Sequence, residues 1–217
     1  MTNPHANQPI RHAGAPLADA TAAMILLHGR GASADAILDL VRLFDAPGFA
    51  YLAPQAAGNT WYPQRFIAPW DQNEPYVSSA LQAVAAVVAQ VEQAGLSRRR
   101  IMLLGFSQGA CLAGEFAAGH ATRYGGIALL TGGLIGDRID PAKYSGSFDG
   151  TPVLLASGDP DGHVPWSRVE ETAEVYRALG ADLTLRRYPG RPHAISTEEI
   201  DLVRTMMAAL ANPEVRP

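Results

Sequence analysis

Short apolar runs alternate with longer amphipathic segments along the chain. The runs hold five or six residues each, and most are apolar without interruption. This pattern is typical of strands that are buried on both faces of a parallel sheet. The predicted strands cover residues 22–27, 49–53, 101–105, 126–130, 152–157 and 183–188. The last run alternates in character, so we place it near a sheet edge, and we predict a further edge strand at residues 8–12.

The segments between these runs have the periodicity of helices. From residue 77 to residue 91, valine and leucine recur at helical spacing and form one apolar stripe, and Gly95 is well suited to end that helix. Further helices are predicted for residues 33–44, 108–120, 168–179 and 197–210. Strands that alternate with helices indicate βαβ units. We therefore predict an α/β fold with a mostly parallel central sheet and helices on both faces.

Length and composition narrow the class of protein. The 217 residues indicate one domain, which we expect to span residues 1–217 with flexible ends at 1–8 and 212–217. The net charge of −4 argues against a nucleic-acid partner. The single cysteine, Cys111, excludes a disulfide framework and a cysteine zinc site. Because residues 1–20 lack the pattern of a signal peptide and no apolar run approaches the length of a membrane span, we expect a cytoplasmic protein.

The strongest chemical signal is the sequence Gly-Phe-Ser-Gln-Gly at residues 105–109. It follows a predicted buried strand directly and begins a predicted helix, which is the context of a nucleophile elbow. Gly105 and Gly109 let the chain turn sharply, and the hydroxyl of Ser107 then projects above the sheet. The alternative is a glycine-rich turn whose serine only caps the helix. The strand and the helix on either side favour the nucleophile.

A serine nucleophile needs a histidine base, and in this context the orienting acid and then the histidine follow the serine along the chain. Of the six histidines, His163 and His193 remain after this order is applied and the histidine on the helix after the elbow is set aside. His193 lies in a loop between the last strand and the last helix, where a base can reach the strand ends. His163 comes only two residues after Asp161, so we interpret it as a loop histidine near the pocket.

The orienting acid is expected at the end of the strand predicted for residues 152–157. Two candidates occur there, Asp159 and Asp161, and either carboxylate can also fold a turn onto its own backbone. The chemistry alone favours Asp161 but leaves Asp159 open. Asp137 and Asp140 follow the preceding strand and are weaker candidates.

Hydrolysis of an ester also needs two N–H groups that bind the developing oxyanion. One is expected from Gln108, the residue after the nucleophile. The other is expected from the glycine-rich sequence Leu-His-Gly-Arg-Gly at residues 27–31, whose glycines allow the backbone N–H of Arg30 to face the substrate. We expect His28 to hold this loop by a hydrogen bond rather than to act as an acid or base.

These motifs together resemble the phospholipase/carboxylesterase family of α/β-hydrolases, which includes acyl-protein thioesterases and small bacterial carboxylesterases. The resemblance runs from about residue 14 to residue 210 and preserves the order of the motifs. They are Leu-His-Gly-Arg-Gly, Gly-Phe-Ser-Gln-Gly-Ala, Gly-Asp-Pro-Asp-Gly-His-Val-Pro and the late Pro-His. The resemblance implies a compact α/β-hydrolase fold. The implied catalytic residues are Ser107, Asp161 and His193, and the implied oxyanion hole consists of the Arg30 and Gln108 amides.

Two long irregular stretches, residues 55–75 and 132–150, are expected to shape the substrate pocket, since loops of this length are commonly functional. The pocket residues expected from them are Trp61, Phe66, Ile67, Trp70 and Leu134. Acyl-protein thioesterases carry a bulkier segment at Gly132 and Gly133, and no cap domain is present in the sequence. We therefore expect uncharged esters, or thioesters, of short to medium acyl chains.

The resulting prediction is a serine hydrolase that needs no metal and no organic cofactor and acts on a small-molecule ester through an acyl-enzyme. A lysophospholipase or acyl-protein thioesterase acting on longer chains is the first alternative. A catalytically silent binding protein with the same fold is the alternative from another class, and a homodimer is left open. A dienelactone hydrolase is disfavoured because position 107 is serine and not cysteine.

Overall fold

The computed structural model describes residues 3–211 of the chain. Seven strands and five α-helices occur in this part. The strands are β1 (Ile10–Gly14), β2 (Ala22–Leu27), β3 (Phe49–Pro54), β4 (Ile101–Phe106), β5 (Gly126–Leu130), β6 (Pro152–Asp159) and β7 (Asp182–Pro189). The helices are α1 (Ala34–Leu38), α2 (Tyr76–Gln93), α3 (Gln108–Gly119), α4 (Trp166–Ala178) and α5 (Thr197–Ala211).

All seven strands form one sheet in the order β1-β3-β2-β4-β5-β6-β7. Strands β2 to β7 run parallel to their neighbours, and only β1 is antiparallel, pairing Ile10 with Pro54. The predicted α/β fold with a mostly parallel sheet is confirmed. The alternating run forms β7 at one edge, and the weak edge strand forms β1 at the other, two residues later than predicted.

The sheet separates two apolar cores, which explains why its strands are continuously apolar. In β2, for example, Ile25 faces one core and Met24 faces the other, and both side chains are fully buried. Helices α2, α3 and α4 cover the first face, and α1 and α5 cover the second. Because helices bury both faces, the central strands are almost entirely apolar. Ser157 of β6 is an exception, since its hydroxyl is buried without a hydrogen-bond partner.

The helix predicted for residues 33–44 forms only in part. Ser33 caps α1 through a bond from the Ala36 N–H to its hydroxyl, but α1 ends at Leu38. The chain continues as a 3₁₀ turn over Asp39–Leu43, and none of that turn's residues is buried. A tighter turn of this kind is common at a helix end. Here the lack of buried side chains leaves little packing to extend the α-helix.

Residues 3–8, within the segment predicted to be flexible, pack on the domain through His5. His5 is buried, and its backbone N–H donates to the Ser79 hydroxyl at 2.8 Å. Its ring donates from Nε2 to the Trp61 carbonyl at 2.8 Å and accepts from the Ala57 N–H at 3.0 Å. The other predicted flexible end, residues 212–217, lies outside the described residues. Within residues 3–211, no helix combines the length and the apolar character needed to cross a membrane.

Candidate active site

The site lies where the connections from two neighbouring strands diverge. β2 and β4 are adjacent and parallel, with Leu27 opposite Gly105, so the loops that follow them begin side by side. The connection after β2 leads to α1 on one face of the sheet, and the connection after β4 leads to α3 on the other. Such a divergence opens a crevice at the carboxyl ends of the strands, which is the usual ligand site of parallel sheets.

Ser107 occupies the sharp turn between β4 and α3. Its backbone has φ 54° and ψ −119°, a conformation that residues other than glycine rarely adopt. The turn also requires glycine on both sides. A side chain at Gly105 would collide with the Gly109 backbone, and one at Gly109 would collide with the carbonyls of Leu27 and His28. The sequence Gly-x-Ser-x-Gly is therefore a steric requirement of this elbow.

Three side chains form a continuous chain of hydrogen bonds. The Ser107 hydroxyl lies 2.8 Å from Nε2 of His193, and Nδ1 of His193 lies 2.8 Å from the Asp161 carboxylate. The carboxylate can only accept, so Nδ1 carries the proton and Nε2 is left to accept from Ser107. The three residues come from the ends of β4, β6 and β7, as parallel strands allow.

The structure gives the two candidate acids different partners. The Asp161 carboxylate is buried, and the oxygen that does not face His193 accepts from the backbone N–H groups of His163 at 2.8 Å and Val164 at 2.9 Å. Burial alone would raise the pKa of Asp161, but these bonds and the bond from His193 outweigh it and lower the pKa below its usual value. Asp159 instead pairs with Arg187. Asp161 is the one that reaches the histidine.

The loop between β2 and α1 faces Ser107 across the crevice. Gly31 has φ 76°, and its N–H donates to the Asn59 carbonyl at 2.7 Å. His28, fully buried, donates from Nδ1 to the Gly29 carbonyl at 2.8 Å. Burial chiefly lowers the pKa of His28, more than the Gly29 carbonyl raises it, and His5 lowers it further. His28 is thus a neutral support for the loop.

Gln108 has two separate contributions to this part of the site. It is the first residue of α3, so its backbone N–H has no acceptor one turn earlier in the helix. Its buried side chain accepts from the Trp61 N–H at 2.9 Å and donates to the Tyr62 carbonyl at 2.8 Å. This amide clasp ties the segment that follows Asn59 to the elbow. The sequence predicts a role only for the backbone N–H.

A cavity of about 390 Å³ opens above Ser107. Arg30 and Gln108 border it near the serine, and His193 borders it on the other side. The full lining consists of Arg30, Tyr62, Pro63, Gln64, Arg65, Phe66, Ser107, Gln108, Cys111, His163, Val164 and His193. Within residues 3–211, no group of three side chains is arranged to hold a metal ion.

Of the five predicted pocket side chains, Phe66 is the one that lines this cavity. Trp61 was predicted to do so, but it is fully buried and its indole N–H donates to the His28 carbonyl at 2.8 Å. Leu134 is also fully buried in the core beneath. On this face of the sheet, loops as well as helices cover the core, and these two loop side chains pack into it.

Ile67 and Trp70 differ from the prediction as well. Ile67 packs against the core and does not line the cavity. Trp70 faces a separate surface depression, where the Lys143 ammonium lies 3.8 Å from the centre of its ring. Trp70 begins the 3₁₀ turn Trp70–Asn73. The pocket prediction is therefore corrected for four of its five side chains.

The structure instead adds Arg65 and His163 to the lining. The His163 ring meets the His193 ring edge-on at 4.8 Å, in agreement with its interpretation as a loop histidine near the pocket. The sequence pattern does not predict the position of Arg65 at the cavity. Its one signal is that Arg65 is the only basic residue in the aromatic stretch from residue 55 to residue 75.

Cys111 lies at the bottom of the cavity, one helical turn after Ser107. Burial raises the pKa of its thiol to about 12, so the thiol stays protonated and is a poor nucleophile. Cys111 is accordingly a small core residue, and Ser107 is the candidate nucleophile that lines the cavity.

Comparison with known proteins agrees with this geometry. A phospholipase/carboxylesterase from Dyadobacter fermentans has the same fold with a TM-score of 0.91, at 43% identity over 93% of this chain and 97% of that one. Acyl-protein thioesterase 1 of Gibberella zeae is 30% identical over 59% of this chain, and the match spans only about half, 55%, of that protein. A probable carboxylesterase of Arabidopsis thaliana, SOBER1-like, is 23% identical over 85% of this chain and 77% of that protein.

The family comparison covers nearly the whole described chain. A family model described as Phospholipase/Carboxylesterase matches residues 13–211, which include every strand end that contributes to the site. The resemblance inferred from the motifs is therefore confirmed. The chain belongs to the phospholipase/carboxylesterase family and has the α/β-hydrolase fold.

Proposed function

We propose that this protein is a serine carboxylesterase that hydrolyses carboxylic esters or thioesters of short to medium acyl chains. The observation that carries the proposal is the unbroken series of hydrogen bonds from Asp161 through His193 to Ser107, with the serine open to the cavity. Carboxylesterases and an acyl-protein thioesterase among the relatives support the same chemistry.

The proposed reaction has two steps. In the first, the Ser107 oxygen bonds to the acyl carbon while its proton moves to Nε2 of His193. The bond to the leaving alcohol or thiol then breaks, and His193 returns the proton to that leaving group. In the second step, a water attacks the acyl-serine and gives its proton to His193. The bond between the acyl carbon and the Ser107 oxygen then breaks, His193 returns the proton to that oxygen, and the carboxylic acid leaves.

Asp161 and two backbone amides would supply the electrostatic support. Asp161 orients His193 and stabilises the imidazolium that forms in each step. The N–H groups of Arg30 and Gln108, which border the cavity beside Ser107, are the proposed donors to the tetrahedral oxyanion. The positive end of α3 lies behind the Gln108 amide and favours the same negative charge.

The size of the cavity supports a short to medium acyl chain. Its volume of about 390 Å³ is near the lower end of the range of roughly 300–1,000 Å³ that small-molecule sites span. A series of 4-nitrophenyl esters from acetate to palmitate tests this part of the proposal. We expect the maximum of kcat/KM between butyrate and octanoate. A value that rises through palmitate would favour the lysophospholipase or acyl-protein thioesterase alternative.

The nucleophile is tested by labelling with a fluorophosphonate probe and mapping the modified residue by mass spectrometry. We expect the probe on Ser107, no label in Ser107→Ala, and normal labelling in Ser167→Ala, a control at an exposed position of α4. Label on a different serine would contradict the assignment. Absence of any label would favour the silent binding protein.

A further inference from the structure

The charge of the cavity differs in sign from the charge of the chain. The protein has a net charge of −4, yet the residues that line the cavity include two arginines, Arg30 and Arg65, and no aspartate or glutamate. Both arginines are exposed at the entrance. The positive charge is therefore a local property of this site.

Arg30 is held in place by groups that carry no formal charge. Its Nη1 donates to the Pro63 carbonyl at 2.9 Å, and its Nη2 donates to the Gln64 carbonyl at 2.6 Å. These bonds connect the loop after β2 with the segment on the opposite rim. Because carbonyl oxygens are neutral, they fix the guanidinium without cancelling its charge.

Arg65 occupies the histidine side of the same rim. Its Nη2 lies 3.4 Å from the carbonyl of His163, the residue whose ring packs on the catalytic His193. Within residues 3–211, neither Arg30 nor Arg65 has a carboxylate within ion-pair distance, in contrast to the pair of Arg187 with Asp159. The Asp161 carboxylate forms no ion pair with either arginine, because its two oxygens bind His193 and two backbone amides.

We infer that the natural ester carries an anionic group, a carboxylate or a phosphate, that binds between Arg30 and Arg65 at the entrance while the ester reaches Ser107. The inference rests on the proposed esterase function and adds the class of substrate. It replaces the uncharged esters expected from the sequence. Guanidinium groups bind carboxylate and phosphate oxygens with matching planar geometry, so two exposed guanidiniums beside one reactive serine favour such a ligand.

Two pairs of matched esters test the inference and distinguish where the anion sits. In the first pair, 4-nitrophenyl hydrogen adipate and 4-nitrophenyl hexanoate, a carboxylate replaces the terminal methyl group of the acyl chain. In the second pair, 4-carboxyphenyl acetate and 4-carbamoylphenyl acetate, the charge lies on the leaving group. For each pair, the ratio of kcat/KM for the anionic ester to that for the neutral ester is measured in wild-type and variant protein.

We expect Arg65→Gln to lower this ratio roughly tenfold in at least one pair, as the loss of a charge-assisted hydrogen bond predicts. Comparing ratios between proteins cancels the intrinsic reactivity of each ester. Arg65→Lys should retain part of the ratio, and Arg30→Gln should lower the ratio in the same pair. Arg177→Gln, which removes an exposed arginine of α4 outside the cavity, should leave the ratio unchanged.

Salt provides a second readout. Raising the salt concentration from about 0.01 M to about 1 M shortens the screening length from about 30 Å to about 3 Å, so the wild-type ratio should fall with salt and the Arg65→Gln ratio should fall less. Equal ratios in wild type and Arg65→Gln for both pairs would overturn the inference. Failure of the proposed function is a separate result, since then no ester of either pair would be cleaved.

Discussion

Two histidines near Ser107, His28 and His193, have contrasting surroundings. His28 is fully buried between a backbone carbonyl and a backbone N–H, at 2.8 Å from Gly29 and 3.1 Å from Ala56. His193 is partly exposed between the Asp161 carboxylate and the Ser107 hydroxyl. The first arrangement is complete only while the ring is neutral. The His193 ring can take up a proton at Nε2, because the Asp161 carboxylate bound to Nδ1 stabilises the positive charge.

The difference extends to the groups around each histidine. On the His28 side, His5, the Gln108 amide and the Trp61 backbone form a network without a formal charge. On the His193 side, Arg191 pairs with the buried Glu199 and also donates to the Thr131 hydroxyl, which anchors the loop that carries the histidine. A neutral network holds backbone amides in place, whereas an ionic one supports His193, whose charge changes in the proposed reaction.

The largest effect on kcat is expected from removing the side chain of His193, which lies at the centre of the charged network. His193→Ala should lower kcat about 10⁶-fold, because serine, histidine and acid act as a unit. The melting temperature should change little, since the ring is partly exposed. Steady-state kinetics and thermal unfolding measure the two effects. His12→Ala, at an exposed position of β1, should change neither, and full activity in His193→Ala would refute the assigned role.

Asp161→Asn should have the next largest effect. It should lower kcat by about 10⁴-fold with KM nearly unchanged, because an amide no longer selects the tautomer that leaves Nε2 free to accept from Ser107. Asp159→Asn is the matched control, since it removes the aspartate that pairs with Arg187 at the end of β6, two residues before Asp161. Comparable losses in the two variants would mean that the acid has been misassigned.

The neutral network around His28 is tested by introducing a negative charge at Gln108. Gln108→Glu keeps the shape of the side chain but turns an oxygen toward the Tyr62 carbonyl and buries a negative charge near the developing oxyanion. We expect kcat to fall about 10²-fold, comparable to the loss of one oxyanion donor. Gln93→Glu makes the same change at an exposed position of α2 and should leave kcat unaltered. An unaltered kcat in Gln108→Glu would show that the clasp is not needed.

The smallest effect is expected from lowering the pH, which should change the free energy of unfolding. Burial lowers the pKa of His28 and His5, so below about pH 6.5 the unfolded chain binds more protons than the folded protein. The free energy of unfolding should therefore decrease as the pH falls from about 7 through 6.5 toward the lowered pKa values. Urea unfolding at several pH values measures this slope. His28→Asn should reduce the slope and His12→Asn should not; the same slope in all three proteins would contradict the explanation.

The elbow at Ser107 is a feature that the sequence alone predicts. Gly105 and Gly109 are predictable because the constraint is local: the chain must pass close to its own backbone, and any side chain would collide. The strands of the sheet were predictable for a similar reason, since burial on both faces leaves continuous apolar runs. The order of serine, acid and histidine along the chain then restricted the remaining candidates.

The lining of the cavity is a feature that the sequence alone does not predict. Trp61 and Phe66 lie in the same aromatic stretch, yet Trp61 turns into the core and Phe66 lines the pocket. Apolar character favours both outcomes equally. The choice depends on partners far along the chain, such as the His28 carbonyl that accepts from the Trp61 indole and the Gln108 side chain that holds its backbone.

The sequence by itself determined the fold class, the elbow at Ser107 and the short set of acids and bases that could serve it, because these follow from periodicity, steric limits and chain order. Only the tertiary structure decided that Asp161 and not Asp159 meets His193, that residues from Asn3 onward pack on the domain, and that Arg65 stands at the cavity entrance. Those outcomes depend on distances between segments that are remote in sequence, and a local sequence pattern does not determine such distances.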